Sequence, residues 1–209
     1  MTVDIPANLM VDYDVLLERA PVHDEDALIK FVSGILPDEW CDRYRAMTKT
    51  EANILQFKDH GFEFLFDFVS ELTAQGRVEA DQTAEDRVVA VYGRSIGSSG
   101  KRDASRMRGF LGGPIIRKDD ITSDKGHFIG HSLGGGLDVN LFPQRRDINR
   151  GWSKRGKVFR DMERYCAAQP GTFCFSRPLY SDPTWIPFAI EYGLLTREGK
   201  LWVEKFENI

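Results

Sequence analysis

Residues 124–135 read Asp124-Lys125-Gly126-His127-Phe128-Ile129-Gly130-His131-Ser132-Leu133-Gly134-Gly135, and two patterns overlap in them. Gly130-His131-Ser132-Leu133-Gly134 spells Gly-x-Ser-x-Gly, the turn that presents a nucleophilic serine between a strand and a helix. Such a serine needs a histidine to take its proton, and in that architecture the histidine comes later in the chain. The chain has four histidines, His23, His60, His127 and His131, and all precede Ser132. The residues after the serine also make a poor helix start. They read Gly134-Gly135-Gly136-Leu137-Asp138, and each interior glycine costs roughly 1 kcal/mol against alanine. The serine pattern is thus a glycine-rich turn, which leaves Asp124-Lys125-Gly126-His127 to carry the chemistry.

A second run, downstream of that tetrapeptide, supports it: Asn140-Leu141-Phe142-Pro143-Gln144-Arg145-Arg146-Asp147-Ile148-Asn149-Arg150-Gly151-Trp152. Hydrolysis of a phosphodiester needs a base to activate water, a cation at the phosphate and leaving oxygen, and positive groups against the charge of the transition state. Histidine suits the first task, because its ordinary pKa lies near neutrality. A hard cation such as Mg²⁺ takes oxygen ligands and keeps most of its waters, so one or two protein oxygens suffice. An asparagine carbonyl supplies one without adding charge.

Residues 124–163 resemble the DNA/RNA non-specific endonuclease family of ββα-metal (His-Me finger) nucleases. The resemblance rests on Asp124-Lys125-Gly126-His127, on Asn140-x-x-Pro143-Gln144, and on Asn149 five residues beyond the glutamine. It implies a metal-dependent endonuclease acting on DNA and/or RNA, with His127 as general base and Asn149 as ligand of Mg²⁺, for which Mn²⁺ can substitute. By the same resemblance Asn140 and Gln144 orient the base and the site. Lys125, His131 and Gln144 are taken as nucleic-acid contacts, with a structural hydrogen bond as the equal alternative for His131. Two positions depart from the family. Lys125 replaces the usual arginine, keeping the charge but losing the planar fork that grips a phosphate in two places. Lys157 stands where a glutamate commonly follows the metal asparagine, and Glu163, further along the same helical stretch, is the nearest candidate for that role. The family's phosphate-clamping arginine lies upstream, where Arg94, Arg102, Arg106 and Arg108 all qualify; Arg108 is taken as the catalytic clamp and Arg106 as a strand contact. A nucleic-acid-binding protein of the same fold without catalysis is the alternative that these departures raise.

Charge distribution points to a polyanion independently. Residues 1–86 carry 7 basic and 19 acidic side chains, a balance of −12, whereas residues 87–165 carry 17 and 8, a balance of +9. A segment that is this basic and also holds the candidate site draws phosphate backbones toward it. The acidic part suggests a shield or docking module over the basic site.

The N-terminal part reads as helical. Leu16 and Leu17, then Leu28, Ile29, Phe31, Val32, Ile35 and Leu36, recur at helical spacing, with a break at Pro37-Asp38 and a further aromatic-rich helical run from Ile54 to Leu72. Strands are expected at Arg87–Tyr92, Phe128–Ile129, Leu141–Phe142, Phe173–Phe175 and Trp185–Ile190, with a helix from Asp147, read as its N-cap. The expected fold class is α+β: a helical N-terminal region followed by a ββα-metal nuclease domain with a small antiparallel sheet. The polar stretch from Gln75 to Asp86 sets the domains at 1–85 and 86–209. Gly97–Arg102 is a cationic glycine-rich loop without P-loop spacing, so no nucleotide cofactor is expected.

A hydrophobic fraction of 42% with 14 phenylalanines describes a folded globular chain. No run of 18 apolar residues marks a membrane span. Met1–Asp4 lacks the basic and apolar regions of a leader, and the three cysteines are scattered, from which a cytoplasmic chain with reduced thiols is expected; a Cys166–Cys174 disulfide is the alternative. Partners implied are DNA and/or RNA as substrate and an inhibitor or immunity protein, with no membrane. Trp152 is read as a packing residue, and His23 and His60 as structural.

Overall fold

The computed structural model describes residues 9–21, 24–48, 51–77, 85–97 and 123–208. In chain order the elements are α1 (Tyr13–Leu17), α2 (Glu25–Met47), β1 (Ile54–Asp59), β2 (Phe62–Asp67), α3 (Val69–Ala74), β3 (Arg87–Arg94), β4 (Ser123–His127), β5 (Leu141–Arg145), α4 (Arg146–Asn149), α5 (Lys154–Ala168), β6 (Phe173–Leu179), β7 (Ala189–Leu195) and β8 (Leu201–Glu207). The fold is α+β. Six strands form one antiparallel sheet in the order β1-β2-β3-β6-β7-β8, and β4 and β5 form a separate hairpin. No helix among the described residues is long and apolar enough to cross a membrane.

Alternation along the strands splits the interior in two. Phe173 and Phe175 of β6 turn toward α2, where they meet Val32, Leu36, Trp40 and Tyr44. Cys174 between them turns the other way, into a cluster with Tyr192, Phe159, Met162, Phe128, Phe142 and Ile148. The sheet therefore carries α1 and α2 on one face and the β4-β5-α4-α5 unit on the other. Helices α1 and α2 thus pack on the face away from the β4-β5 hairpin, whereas the β1-β2 turn, with Asp59 and His60, comes against Gly136 in the loop after His127.

Two expectations change in the N-terminal part. The aromatic run at 54–72 is mostly a hairpin, not a helix. Phe62 and Phe64 alternate toward one face, and the turn residues His60 (φ +48°) and Gly61 (φ +88°) both take the positive φ that a tight hairpin favours. A bulge between Leu65 and Phe66 lets β2 continue against β3, so two strands pair across the boundary expected at 85/86. Helix α2 runs through Pro37 without a break. Pro37 removes one helical donor, but buried Val32, Leu36, Trp40 and Tyr44, at i, i+4 spacing, hold the helix on the sheet. Its start is set by Asp24, whose carboxylate caps Asp26 N at 3.0 Å, with Glu25 and Asp26 favourably placed in the first turn.

The strands at Arg87–Tyr92, Leu141–Phe142 and Phe173–Phe175 stand where expected, β4 ends at His127 rather than continuing through Ile129, and Trp185–Phe188 precede β7 instead of forming it. Cys41, Cys166 and Cys174 are free, buried thiols.

A buried polar network fastens the N-terminal segment to the sheet. Arg177 and Glu191 pair at 2.7 Å, almost without solvent contact. Glu191 also accepts from Tyr13 Oη at 2.8 Å, Trp40 Nε1 donates to that oxygen at 3.2 Å, and Arg177 reaches Leu9 O at 2.7 Å.

Candidate active site

The hairpin that carries His127 is held in register by Asp124 opposite Gln144, Gly126 opposite Phe142 and His127 opposite Leu141. Gly126 is required by close approach. The buried Gln144 side chain lies across its Cα, and a Cβ there would overlap Gln144 Cβ and Oε1. The Gln144 amide makes no hydrogen bond among the described residues. Phe128 and Phe142 stack beneath the hairpin with ring centroids 4.4 Å apart. Asn208 stitches it to the far end of the sheet, accepting from Arg145 N at 2.7 Å and donating to Pro143 O at 3.0 Å and Pro187 O at 2.8 Å. Nothing in the spacing of Asn208 marks it in sequence.

Asn140 shapes the loop that leaves the histidine. It is fully buried. Its Oδ1 accepts from Ile129 N, and its Nδ2 donates to Ile129 O and Gly136 O, all at 2.9 Å. The amide is thus committed to main chain, which positions the loop rather than reaching a substrate. His127 is itself buried, with Nε2 enclosed by protein.

Asp124, three residues before His127 on the same strand, gathers α4. Arg146 Nε donates to it at 3.0 Å, Arg150 Nε and Nη2 at 2.6 and 3.1 Å, and Asn149 Nδ2 at 3.3 Å. Burial pushes its carboxyl up, but the bonds from Arg150, Arg146 and Asn149 outweigh that and hold it below the usual carboxylate range. With Nδ2 on Asp124, the Oδ1 of Asn149 is left as a carbonyl that accepts no hydrogen bond among the described residues. A cation with a preference for oxygen fits that atom. No group of three or more His, Cys, Asp or Glu side chains could hold a metal among the described residues, so a closed thiolate or imidazole cage has no counterpart there. Sequence spacing offered a sign of this hub: Arg146, Asn149 and Arg150 sit at i, i+3 and i+4, on one side of a helical turn.

The remaining candidates fall into three groups. Glu163, on α5, brings its carboxylate against the loop after His127, and a Cβ on Gly130 would stand 2.5 Å from its Oε1; Arg160 pairs with it at 3.3 Å. Lys125 lies half-buried on β4 opposite Pro143, and His131 half-buried in the 3₁₀ turn His131–Leu133 beyond it. Arg94 sits on the α2 side of the sheet, bonded to Asp26 at 2.5 Å, away from the histidine; Arg102, Arg106, Arg108 and His23 lie outside the described residues. Asp147 is not a cap. It lies within α4, gripped by Arg145 at 2.6 and 3.0 Å, and that guanidinium holds its carboxyl below the ordinary value. Ser153 caps α5 instead, accepting from Gly156 N at 3.0 Å.

Trp152 reverses its expectation. It does not pack: 64% of its surface is exposed, and the Arg150 guanidinium lies 4.9 Å from the ring centroid.

No known family's profile matches the chain, and no curated protein matches it. Among solved structures it is similar to NucA from Streptococcus agalactiae with no metal bound, at 17% identity and a TM-score of 0.44 over 78% of this chain and 73% of that one. It is also similar to NucA from the same organism with magnesium ion bound, at 15% and 0.43 over 77% and 74%. Sda1 nuclease with bound zinc ion gives 14% and 0.37 over 77% and 76%. At such identities and scores the likeness bears on neither chemistry nor substrate.

Proposed function

We propose that this chain is a metal-dependent endonuclease that hydrolyses phosphodiester bonds of DNA and/or RNA. One observation carries the reading: Asp124, on the strand that bears His127, holds Asn149 by its Nδ2 and leaves the Oδ1 as a free carbonyl donor. Base and metal ligand are thereby tied to one rigid hairpin-helix unit, as preorganised catalysis requires.

In this mechanism His127 accepts a proton from the attacking water. A positioned base of this kind contributes roughly 10²- to 10⁴-fold. Asn149 Oδ1 would hold the cation, with Glu163, whose carboxylate lies against Gly130 in the loop after His127, as the candidate second group. When bound, Mg²⁺ or Mn²⁺ supplies charge that offsets the build-up on the phosphate and the leaving 3′ oxygen. Lys125 and His131 flank the histidine and offer donors to the phosphate, with Arg106 and Arg108 as the upstream clamp. Asn140 and Gln144 position the loop and the strand around the base.

The test is cleavage of plasmid DNA and of total RNA by the full chain. Cleavage is expected with Mg²⁺ or Mn²⁺ and is abolished by EDTA, and Asn149→Ala should raise the Mg²⁺ concentration needed for half-maximal rate. Undiminished cleavage in EDTA overturns the metal's role. A folded protein that binds nucleic acid but cleaves with neither metal is the non-catalytic alternative.

A further inference from the structure

Trp152 stands in the turn between α4 and α5 on a fixed backbone. Its N–H donates to Asp147 O at 2.9 Å, Gly151 N donates to Ile148 O at 3.1 Å, and α5 begins at the Ser153 cap immediately after. Gly151 takes a φ of +71°, which lets the chain reverse there. The turn thereby presents an indole to water, and among the described residues the one contact recorded for the ring is the Arg150 guanidinium, which leaves an amphipathic aromatic surface open to a ligand. Among the described residues the other large exposed apolar side chains are Val15, Leu55 and Ile96, none aromatic.

The surroundings select the ligand. The Arg150 guanidinium covers one side of the ring at 4.9 Å and is itself locked on Asp124 at 2.6 Å. Asn149 Nδ2 reaches the same carboxylate oxygen at 3.3 Å, so the indole is linked to the metal-ligand candidate by short contacts. Lys154 and Lys157 lie at the start of α5, both exposed and without an ion pair among the described residues. A flat π-face backed by a cation, with free positive charge beside it, matches a base attached to a phosphate chain. A base within a duplex is stacked on its neighbours and cannot lie on the ring unless it is turned out.

We propose that Trp152 is a stacking platform for an unpaired base next to the scissile phosphate, so that the site favours single-stranded DNA or RNA. The proposal rests on the phosphodiester reading above and adds its substrate class.

The experiment uses full-length His127→Ala protein with Mg²⁺, so that binding is read without cleavage. Affinity is measured for a 12-nucleotide thymidine strand, for an abasic strand of equal length and charge, and for a duplex. Trp152→Ala should weaken binding of the thymidine strand roughly 5- to 150-fold. Trp152→Phe should retain most of the affinity, and the abasic strand and duplex should be nearly insensitive to either change. A loss equal on thymidine and abasic strands, or no loss on either, overturns stacking. Cleavage by wild-type protein is scored separately. A base-dependent loss in a chain that never cleaves supports the platform while removing the hydrolytic reading. Cleavage with base-independent binding does the reverse.

Discussion

Replacing Asp124 by alanine removes the acceptor of four hydrogen bonds at once, from Arg146 Nε, Arg150 Nε and Nη2, and Asn149 Nδ2. The carboxylate side chain is only 13% exposed, but its partners Arg146 and Arg150 are 30% and 46% exposed. Released guanidinium groups therefore regain water, and the penalty stays below the 3–5 kcal/mol or so of a fully buried broken pair. With bonds to charged groups worth about 1.5–3 kcal/mol, and solvent screening taken into account, a net loss of about 2 kcal/mol is expected. At a urea dependence of roughly 2–3 kcal/mol per molar, the unfolding midpoint moves down by about 0.7–1 M. The effect on cleavage should be larger. Without Asp124 the Asn149 amide is no longer oriented, and outer-shell losses of this kind lower metal affinity or activity about 10- to 100-fold. Urea unfolding and the Mg²⁺ dependence of cleavage are measured on the same preparation. An Asp124→Ala protein with the wild-type midpoint and the wild-type Mg²⁺ requirement refutes the hub.

Asp124 and Asp147 are both held below the ordinary carboxylate range, so their stabilisation is complete above the unfolded value of about 4 and is lost as pH falls through their folded values. The acid limb of a stability profile should accordingly be shallower in Asp124→Asn than in wild type; equal limbs between pH 2 and 5 contradict this. Arg177→Ala strands buried Glu191 and should destabilise by about 3–5 kcal/mol, whereas Arg177→Met with Glu191→Leu should lose far less; equal urea midpoints for the two variants count against the buried pair. Gly126→Ala forces Gln144 aside and should cost about 1–3 kcal/mol, with a slower enzyme beside it; an unchanged midpoint means Gln144 moves freely.

The grouping of the candidate residues was legible because it is local. The Asp-Lys-Gly-His tetrapeptide, the Asn-x-x-Pro-Gln run and Asn149 lie on one hairpin and the helix after it, where short spacing fixes proximity. Features set by distant partners were not. The run Phe62–Phe66 is apolar enough to suit either period, and only the His60-Gly61 turn marked it as a hairpin. Pro37 reads as a helix stop, because burial of Leu36 and Trp40 against β6 belongs to the tertiary structure. Charge along the sequence separated an acidic part from a basic one but said nothing of which face each would occupy. Trp152 looked like core because most tryptophans are largely buried, and its exposure depends on a turn pinned by Asp147 and Ser153. Asn208 and the committed amide of Asn140 also emerge only in three dimensions.

The most direct test of the central claim compares wild-type protein with His127→Ala on plasmid DNA and total RNA in Mg²⁺, with circular dichroism to establish that both are folded. With His127 as the base, wild type cleaves and the variant loses roughly 10²-fold or more of the rate. A folded His127→Ala protein that cleaves at the wild-type rate contradicts that role.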